Sequence, residues 1–311
     1  MAEVTAALVK ELRDKTGAGM MDCKRALAES DGDIEGAVDS LRKKGLAAAA
    51  KKAGRIAAEG LVGVATKANA GAVVEVNSET DFVARNELFQ ALVRTVTELA
   101  VAGAGTAEAL AAAPFPGTGR TVAEEIAELV GRIGENLVLR RVERLAVNKG
   151  VVVSYVHNSL ASGLGKIGVL IALQSAAGVE MLSTLARQLA MHVASANPQY
   201  LERAAVPTAA LDREREVLRG QAETSGKSAD IVERMVDGRL SKFYEDNVLL
   251  DQVFISPDAD GKSRVGQVVA AAAKAAGSEV RVAGFVRFAL GEGIDKPASD
   301  FAAEVGAQLK H

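Results

Sequence analysis

The sequence predicts an α+β protein made of several structural units, and three observations carry that expectation. Apolar residues recur at helical spacing near both ends and through the middle of the chain. Two pairs of short Val-rich runs, each followed by a helical stripe, lie between residues 61 and 193. A heavily charged double stripe over residues 208–248 reads as two antiparallel helices. At 311 residues the chain exceeds the usual size of a single core. Hydrophobic residues make up 49% and charged residues 25%, a balance that supports burial rather than disorder. With 4% aromatics and no tryptophan, the cores must be assembled from Ala, Val, Leu and Ile.

At the N-terminus, Thr5 stands where a cap belongs, and Leu8, Val9 and Leu12 form a stripe that ends at Gly17. After the Gly17-Ala18-Gly19 turn, a second helix carries Met20, Lys24 and Leu27 on one face, with Cys23 beside them. Ser30-Asp31-Gly32 breaks the chain. Asp33 then caps a third helix, whose Ile34, Val38 and Leu41 repeat at helical spacing until Gly45. Residues 1–45 therefore read as a small bundle, of a size suited to a tethered binding module. Residues 46–60 are Ala-rich with Lys51, Lys52 and Arg55, and read as a helical linker with a solvated basic face.

A first core unit is expected over 61–147. Leu61–Ala65 and Ala72–Val76 are strands around a Lys67–Gly71 turn. Thr80–Val83 then lead into a long helix with Leu88, Phe89, Leu92, Val93, Val96 and Leu99 on its apolar face. Pro114–Arg120 reads as a loop, and Thr121 with Glu124 makes a capping box for a helix that ends at Gly134. Leu137-Val138-Leu139 starts an extended segment.

The pattern returns over 148–290, with strands at Val151–Val156 and Val169–Leu173 and a helix carrying Leu182, Leu185, Leu189 and Val193. Sliding one half onto the other pairs Gly71 with Gly168, Leu92 with Leu189 and Val96 with Val193. That is a weak duplication which chance can also produce. The hairpin 208–248 is an insertion, expected to project as an antiparallel coiled coil around a Thr224–Ser228 turn. Leu211, Leu218 and Ala222 stripe one arm; Val232, Val236, Leu240 and Phe243 stripe the other. The chain comes back through Val253-Phe254-Ile255, a helix with Val265, Val268 and Val269, and a strand over Val280–Phe288. Residues 291–311 form a last helical module, with Phe301, Val305 and Leu309 at helical spacing.

Composition argues against several functions. A net charge of −3 lacks the basic excess of a protein that holds nucleic acid through phosphates. The single Cys23 cannot form an internal disulfide and suits a reducing compartment, and Met-Ala-Glu-Val does not open a secretory signal. Three scattered histidines and one cysteine offer no zinc site and no nucleophilic triad, so neither cofactor nor metal is expected. Cys23, beside Met20 and Leu27, reads as packing rather than a nucleophile, and His192, among Leu189, Met191 and Val193, as a satisfied helix residue. Gly163-Leu164-Gly165-Lys166-Ile167-Gly168 fits the dinucleotide fingerprint, yet Val169-Leu170-Ile171 after it is a strand where that chemistry needs a helix. These glycines belong to a hairpin, and an oxidoreductase loses its main support.

Two local features stand out. In Thr80-Asp81-Phe82-Val83 a scarce phenylalanine follows a carboxylate at a strand–helix junction. Either Thr80 or Asp81 caps the helix and Phe82 packs as a staple, or the ring is an exposed wedge beside an anion, an anchor for a partner's pocket. Met20 and Met21 pose the same choice, because adjacent helix positions point about 100° apart. One of the two is then free to be exposed and adaptable, and core filling is the alternative.

Leu12–Lys24 (LRDKTGAGMMDCK) and Asn77–Arg85 (NSETDFVAR) resemble signature segments of the elongation factor Ts family. Ile133-Gly134-Glu135-Asn136, Ala190–Ala194 and Phe301–Val305 agree further, in the same order along nearly the whole chain. The resemblance implies a ubiquitin-associated-like N-terminal bundle, a core of two related α+β subdomains with small antiparallel sheets, an inserted coiled coil and a C-terminal helical module. It also implies a cytoplasmic exchange factor, not an enzyme, whose partner is elongation factor Tu, with no nucleic acid, membrane or small-molecule substrate. On that analogy Thr80, Asp81, Phe82 and Val83 displace the partner's Mg²⁺. Leu12, Met20 and Met21 dock the bundle, and the subdomain around His192 grips a distant domain. A passive adaptor that binds without altering nucleotide kinetics is the competing class.

Overall fold

The computed structural model describes residues 4–16, 18–103, 105–223, 229–256 and 259–295. The last helical module, with Phe301, Val305 and Leu309, and the Thr224–Ser228 turn lie outside the described residues, as does Gly17. No helix among the described residues is long and apolar enough to cross a membrane.

Three helices open the chain: α1 (Ala6–Thr16), α2 (Met20–Glu29) and α3 (Ile34–Lys52). The Thr5 hydroxyl accepts the Leu8 amide at 3.3 Å and the Asp33 carboxylate accepts the Gly36 amide at 2.8 Å, so both expected caps form. Leu12, Cys23, Ala26, Leu27 and Ala37 fill the bundle core. Gly45 does not end α3, as its spacing suggested. The helix runs on to Lys52, so the first half of the expected linker is its last two turns. A tertiary contact explains the glycine: α3 crosses the later helix α6 (Val122–Ile133), where a Cβ on Gly131 would sit 3.0 Å from Gly45 Cα. Close backbone approach there offsets the usual cost of glycine inside a helix.

The core is built on β1 (Glu59–Lys67), β2 (Ala70–Ser78), β3 (Leu137–Ala146), β4 (Gly150–Ala161), β5 (Leu164–Ser175) and β6 (Val280–Ala289). The small antiparallel sheets expected of the two subdomains are antiparallel as expected, but they are joined. Among the described residues the six strands form one antiparallel sheet in the order β3-β2-β1-β5-β4, with β6 also on β5. Its two halves meet through a narrow seam, where Val62 pairs with Gly165 and Gly63 with Leu164. Helix α4 (Glu87–Ala102) packs on β1 and β2, and α7 (Val179–Ala196) packs on β4 and β5. Leu92 and Val96 on α4, and Leu189 and Val193 on α7, are all buried. The aligned glycines also have matching roles. A Cβ on Gly71 would lie 2.9 Å from Val152 Cγ1, and one on Gly168 would lie 2.6 Å from Val62 Cγ1, so each lets the other half's strand approach. Gly163 (φ +72°) sits in the β4–β5 turn, so the glycine run that fits the dinucleotide fingerprint forms a hairpin.

A short helix α5 (Ala107–Ala112), not read from the sequence, precedes the Pro114–Arg120 loop. The Thr121–Glu124 capping box of α6 is complete, and Gly134 ends that helix in the left-handed region at φ +86°. The insertion forms α8 (Thr208–Glu223) and α9 (Ala229–Asn247), packed through Leu211, Leu218, Val236 and Leu240. Helix α10 (Val265–Ala276) then leads into β6.

A buried carboxylate closes the sheet. Glu75, on β2, accepts from Arg140 Nη1 at 3.0 Å, Arg141 Nε at 2.5 Å, Asn77 Nδ2 at 3.0 Å and the Gly291 amide at 2.8 Å. It therefore joins β2, β3 and the segment leaving β6. Burial alone would push its carboxyl up. The Gly291 amide, Arg141 and Asn77 outweigh burial and hold it below the ordinary carboxylate range. Glu75→Ala leaves two arginines without their anion, and we expect a loss of about 3 kcal/mol in urea unfolding.

Candidate functional site

The Thr80–Val83 segment is a turn fixed from both sides. Downstream, the Ala84, Arg85 and Asn86 amides donate to the Asp81, Phe82 and Val83 carbonyls at 3.3, 3.1 and 2.9 Å, closing a 3₁₀ turn. Val83 and Ala84 are buried in the core beside Phe89. Asn86 caps α4 by accepting the Leu88 and Phe89 amides at 2.9 and 3.2 Å, and Gln90 Nε2 donates to the Ala84 carbonyl at 2.9 Å. Upstream, Glu135 accepts both protons that Thr80 offers, from its amide at 2.9 Å and its hydroxyl at 2.6 Å. The Ser78 hydroxyl donates to the Thr80 carbonyl at 2.8 Å.

On this fixed turn Phe82 is 78% exposed. The helix cap is Asn86, not Thr80 or Asp81, and Phe82 is no staple. Packing a staple needs an inward rotamer, and burial of Val83 and Ala84 on the same short turn directs Phe82 outward. Asp81 is exposed as well, and no side-chain hydrogen bond or ion pair engages its carboxylate among the described residues. Leu88, expected on the inner face of α4, is also exposed. An aromatic ring held in water by a preorganised backbone loses little conformational freedom when it enters a pocket. Such a ring suits binding, because large apolar surface in water gains most from burial against another molecule.

Met20 and Met21 are 60% and 69% exposed at the start of α2. Together with Val4, Val9, Lys10, Arg13 and Lys24 they line an open groove of about 720 Å³ between α1 and α2. Two expected site residues are not on any surface. Leu12 is fully buried in the bundle core, where it packs with Cys23, Ala26 and Leu27 of α2. His192 is fully buried too. Its Nδ1 accepts the Ile255 amide at 3.1 Å, so its Nε2 carries the proton and donates to Gln252 Oε1 at 2.9 Å. Gln252 Nε2 in turn donates to the Asp246 carbonyl at 2.8 Å, so the imidazole ties α7 to the base of the α8–α9 hairpin.

The family model described as elongation factor TS matches residues 79–292, more than half of the chain, beginning at the turn that carries Phe82. The chain belongs to the elongation factor Ts family. An elongation factor Ts of Rhodospirillum centenum is 60% identical over 307 residues, covering 99% of both chains. That of Rhodospirillum rubrum is 59% identical over 311 residues, covering 100% of both, and that of Sphingopyxis alaskensis is 60% identical over 308 residues, covering 99% of both.

In this member of the elongation factor Ts family the structure adds residues that sequence spacing could not assign. Glu135, Glu79, Asn136 and Arg55 surround the root of the turn. A carboxylate just past a left-handed helix end was visible in the sequence, but its acceptor role depends on an amide 55 positions away. Among the described residues no group of three or more His, Cys, Asp or Glu could hold a metal ion.

The buried imidazole makes stability depend on pH. Burial, partly opposed by the Gln252 hydrogen bond, lowers the folded pKa of His192 below its ordinary value of 6.5. As pH falls through that value the unfolded chain takes up a proton that the folded chain refuses. The histidine's contribution is therefore retained above it and declines below it. We expect the melting temperature to fall between pH 7.5 and 5.5, and to fall less in His192→Gln.

Proposed function

We propose that the chain releases GDP from elongation factor Tu, with Phe82 as the wedge that disturbs the GTPase's Mg²⁺ and phosphate site. The observation that carries this reading is the 78% exposure of Phe82 on a turn whose backbone is pinned before and after it. The ring enters an apolar crevice between helices of the GTPase and shifts the segment that supports the metal. Asp81, whose carboxylate no side chain among the described residues engages, accepts hydrogen bonds from the displaced elements and stabilises the metal-free arrangement. Thr80 and Val83 position the pair, one by its bonds to Glu135 and the other by burial. Met20 and Met21 dock the bundle on the nucleotide domain, their flexible thioethers adapting to its surface.

The physical need for such a device follows from affinity. A nucleotide held at nanomolar strength is bound by about 12 kcal/mol, so unaided release is slow. Mg²⁺ adds to this, because it requires near-ideal octahedral geometry and exchanges ligands reluctantly. A factor that binds the empty GTPase better than the loaded one weakens the nucleotide by the same factor, by reciprocity. No covalent step is needed, so the chain is not an enzyme in this reading. The bundle 1–45 is read as ubiquitin-associated-like and the hairpin 208–248 as a coiled coil. Residues 61–147 and 148–290 form the two core subdomains, and the setting is the cytoplasm.

Two variants test the roles separately. Phe82→Ala should slow GDP release by about tenfold or more in stopped-flow with labelled GDP, and weaken complex formation much less. An unchanged rate would leave the passive adaptor as the better description. Asp81→Ala should make exchange more sensitive to Mg²⁺, so raised Mg²⁺ inhibits the variant more than the parent.

A further inference from the structure

The root of the wedge turn is joined to the end of α6 by a crossed pair of carboxylate–amide bonds, and through it to the segment that follows α3. Glu79 Oε1 accepts the Asn136 amide at 2.6 Å, while Glu135 accepts the Thr80 amide at 2.9 Å. Each acidic side chain thus binds the backbone of the other's neighbour, across the β2 end and the α6 end. The third party is the tail of α3. Asn136 Nδ2 donates to the Arg55 carbonyl at 2.8 Å, and Arg55 Nη1 lies 3.5 Å from Glu79 Oε2. Lys52 Nζ also donates to the Gly134 carbonyl. Higher up, α3 and α6 are locked by the Gly45–Gly131 crossing and by the Arg42–Glu124 ion pair at 3.0 Å.

We infer that Glu135 is a positioning residue for nucleotide release: it holds Thr80, and so Phe82, at a set angle to the bundle surface that bears Met20 and Met21. Phe82 reaches its pocket only if its backbone stands at the right place when the bundle has docked. Flexible attachment of either part would let the bundle bind without driving the ring home. With α3 stitched to both α6 and the turn, binding energy gathered by the methionines acts on the ring. Interactions made away from the point of displacement are useful only through such a rigid connection. The ion pair and the hydroxyl bond of this junction are modest individually, so the role is geometric rather than one of overall stability.

This inference rests on the wedge reading, and its test separates the two. Maximal GDP-release rates at saturating factor, the affinity for the nucleotide-free GTPase, and melting temperatures are measured for Glu135→Ala, Glu135→Gln, Phe82→Ala and the Glu135→Ala/Phe82→Ala double variant. Glu135→Ala should lower the maximal rate about tenfold, the effect of two lost hydrogen bonds, with affinity changed less than about threefold. Glu135→Gln should restore most of the rate, because its amide oxygen still accepts the Thr80 amide proton and the Thr80 hydroxyl can reorient. In the double variant Glu135→Ala should slow release no further than Phe82→Ala does alone, since a positioning group acts only through what it positions. Thr80→Val, which removes the hydroxyl and keeps the shape, should slow release in the same direction if Glu135→Ala proves too unstable to assay. A parent-like rate in Glu135→Ala or Thr80→Val, or additive slowing in the double variant, overturns the positioning role while the wedge stands. A parent-like rate in Phe82→Ala overturns both.

Discussion

A phenyl ring stays in water only when the backbone that carries it has no freedom to fold the ring away. Phe82 meets that condition because its turn is held at both ends by bonds of different kinds. Burial of Val83 and Ala84 secures the downstream side, and the acceptors of Glu135 and Ser78's hydroxyl secure the upstream side. Removing apolar surface from water favours collapse of any loose loop onto its own core. The backbone bonds of the 3₁₀ turn oppose that collapse, and the site's chemistry follows from this balance. In the proposed role, binding a partner completes a burial that the chain alone is prevented from making.

The rest of the fold supplies rigidity to that turn. One sheet spans both halves of the core through the short β1–β5 seam, and Glu75 gathers two arginines and a distant amide to close it. Small residues do much of the work of bringing surfaces together. Gly71 and Gly168 let the half-sheets meet, and Gly45 and Gly131 let two helices cross at backbone distance. In a chain poor in aromatics, close approach replaces bulk as the means of filling space.

Leu12 and His192 show how a residue can belong to a signature without lying on a surface. Both sit in motifs that resemble the family, and both are sealed inside. A neutral imidazole bonded at both nitrogens ties α7 to the foot of the helical hairpin, so its place in the motif is accounted for by packing. Met20 and Met21, on the helix that Leu12 packs against, face solvent instead.

Much of the fold was legible because local periodicity reports local structure. Strand pairs, the Thr121–Glu124 capping box, the Asp33 cap, the charged hairpin and the hairpin glycines at 163–168 all depend on neighbours in sequence. Motif resemblance likewise assigned the family and pointed to Phe82 and the two methionines. Spacing could not decide whether Phe82 packs or protrudes, because both arrangements satisfy the same four residues. Nor could it show that Gly45 is interior to a helix, that two strand pairs share one sheet, or that Glu135 holds Thr80 across 55 positions. Those facts depend on contacts between segments far apart in the chain. Their energies exist only once the segments have met, so tertiary structure alone decided them.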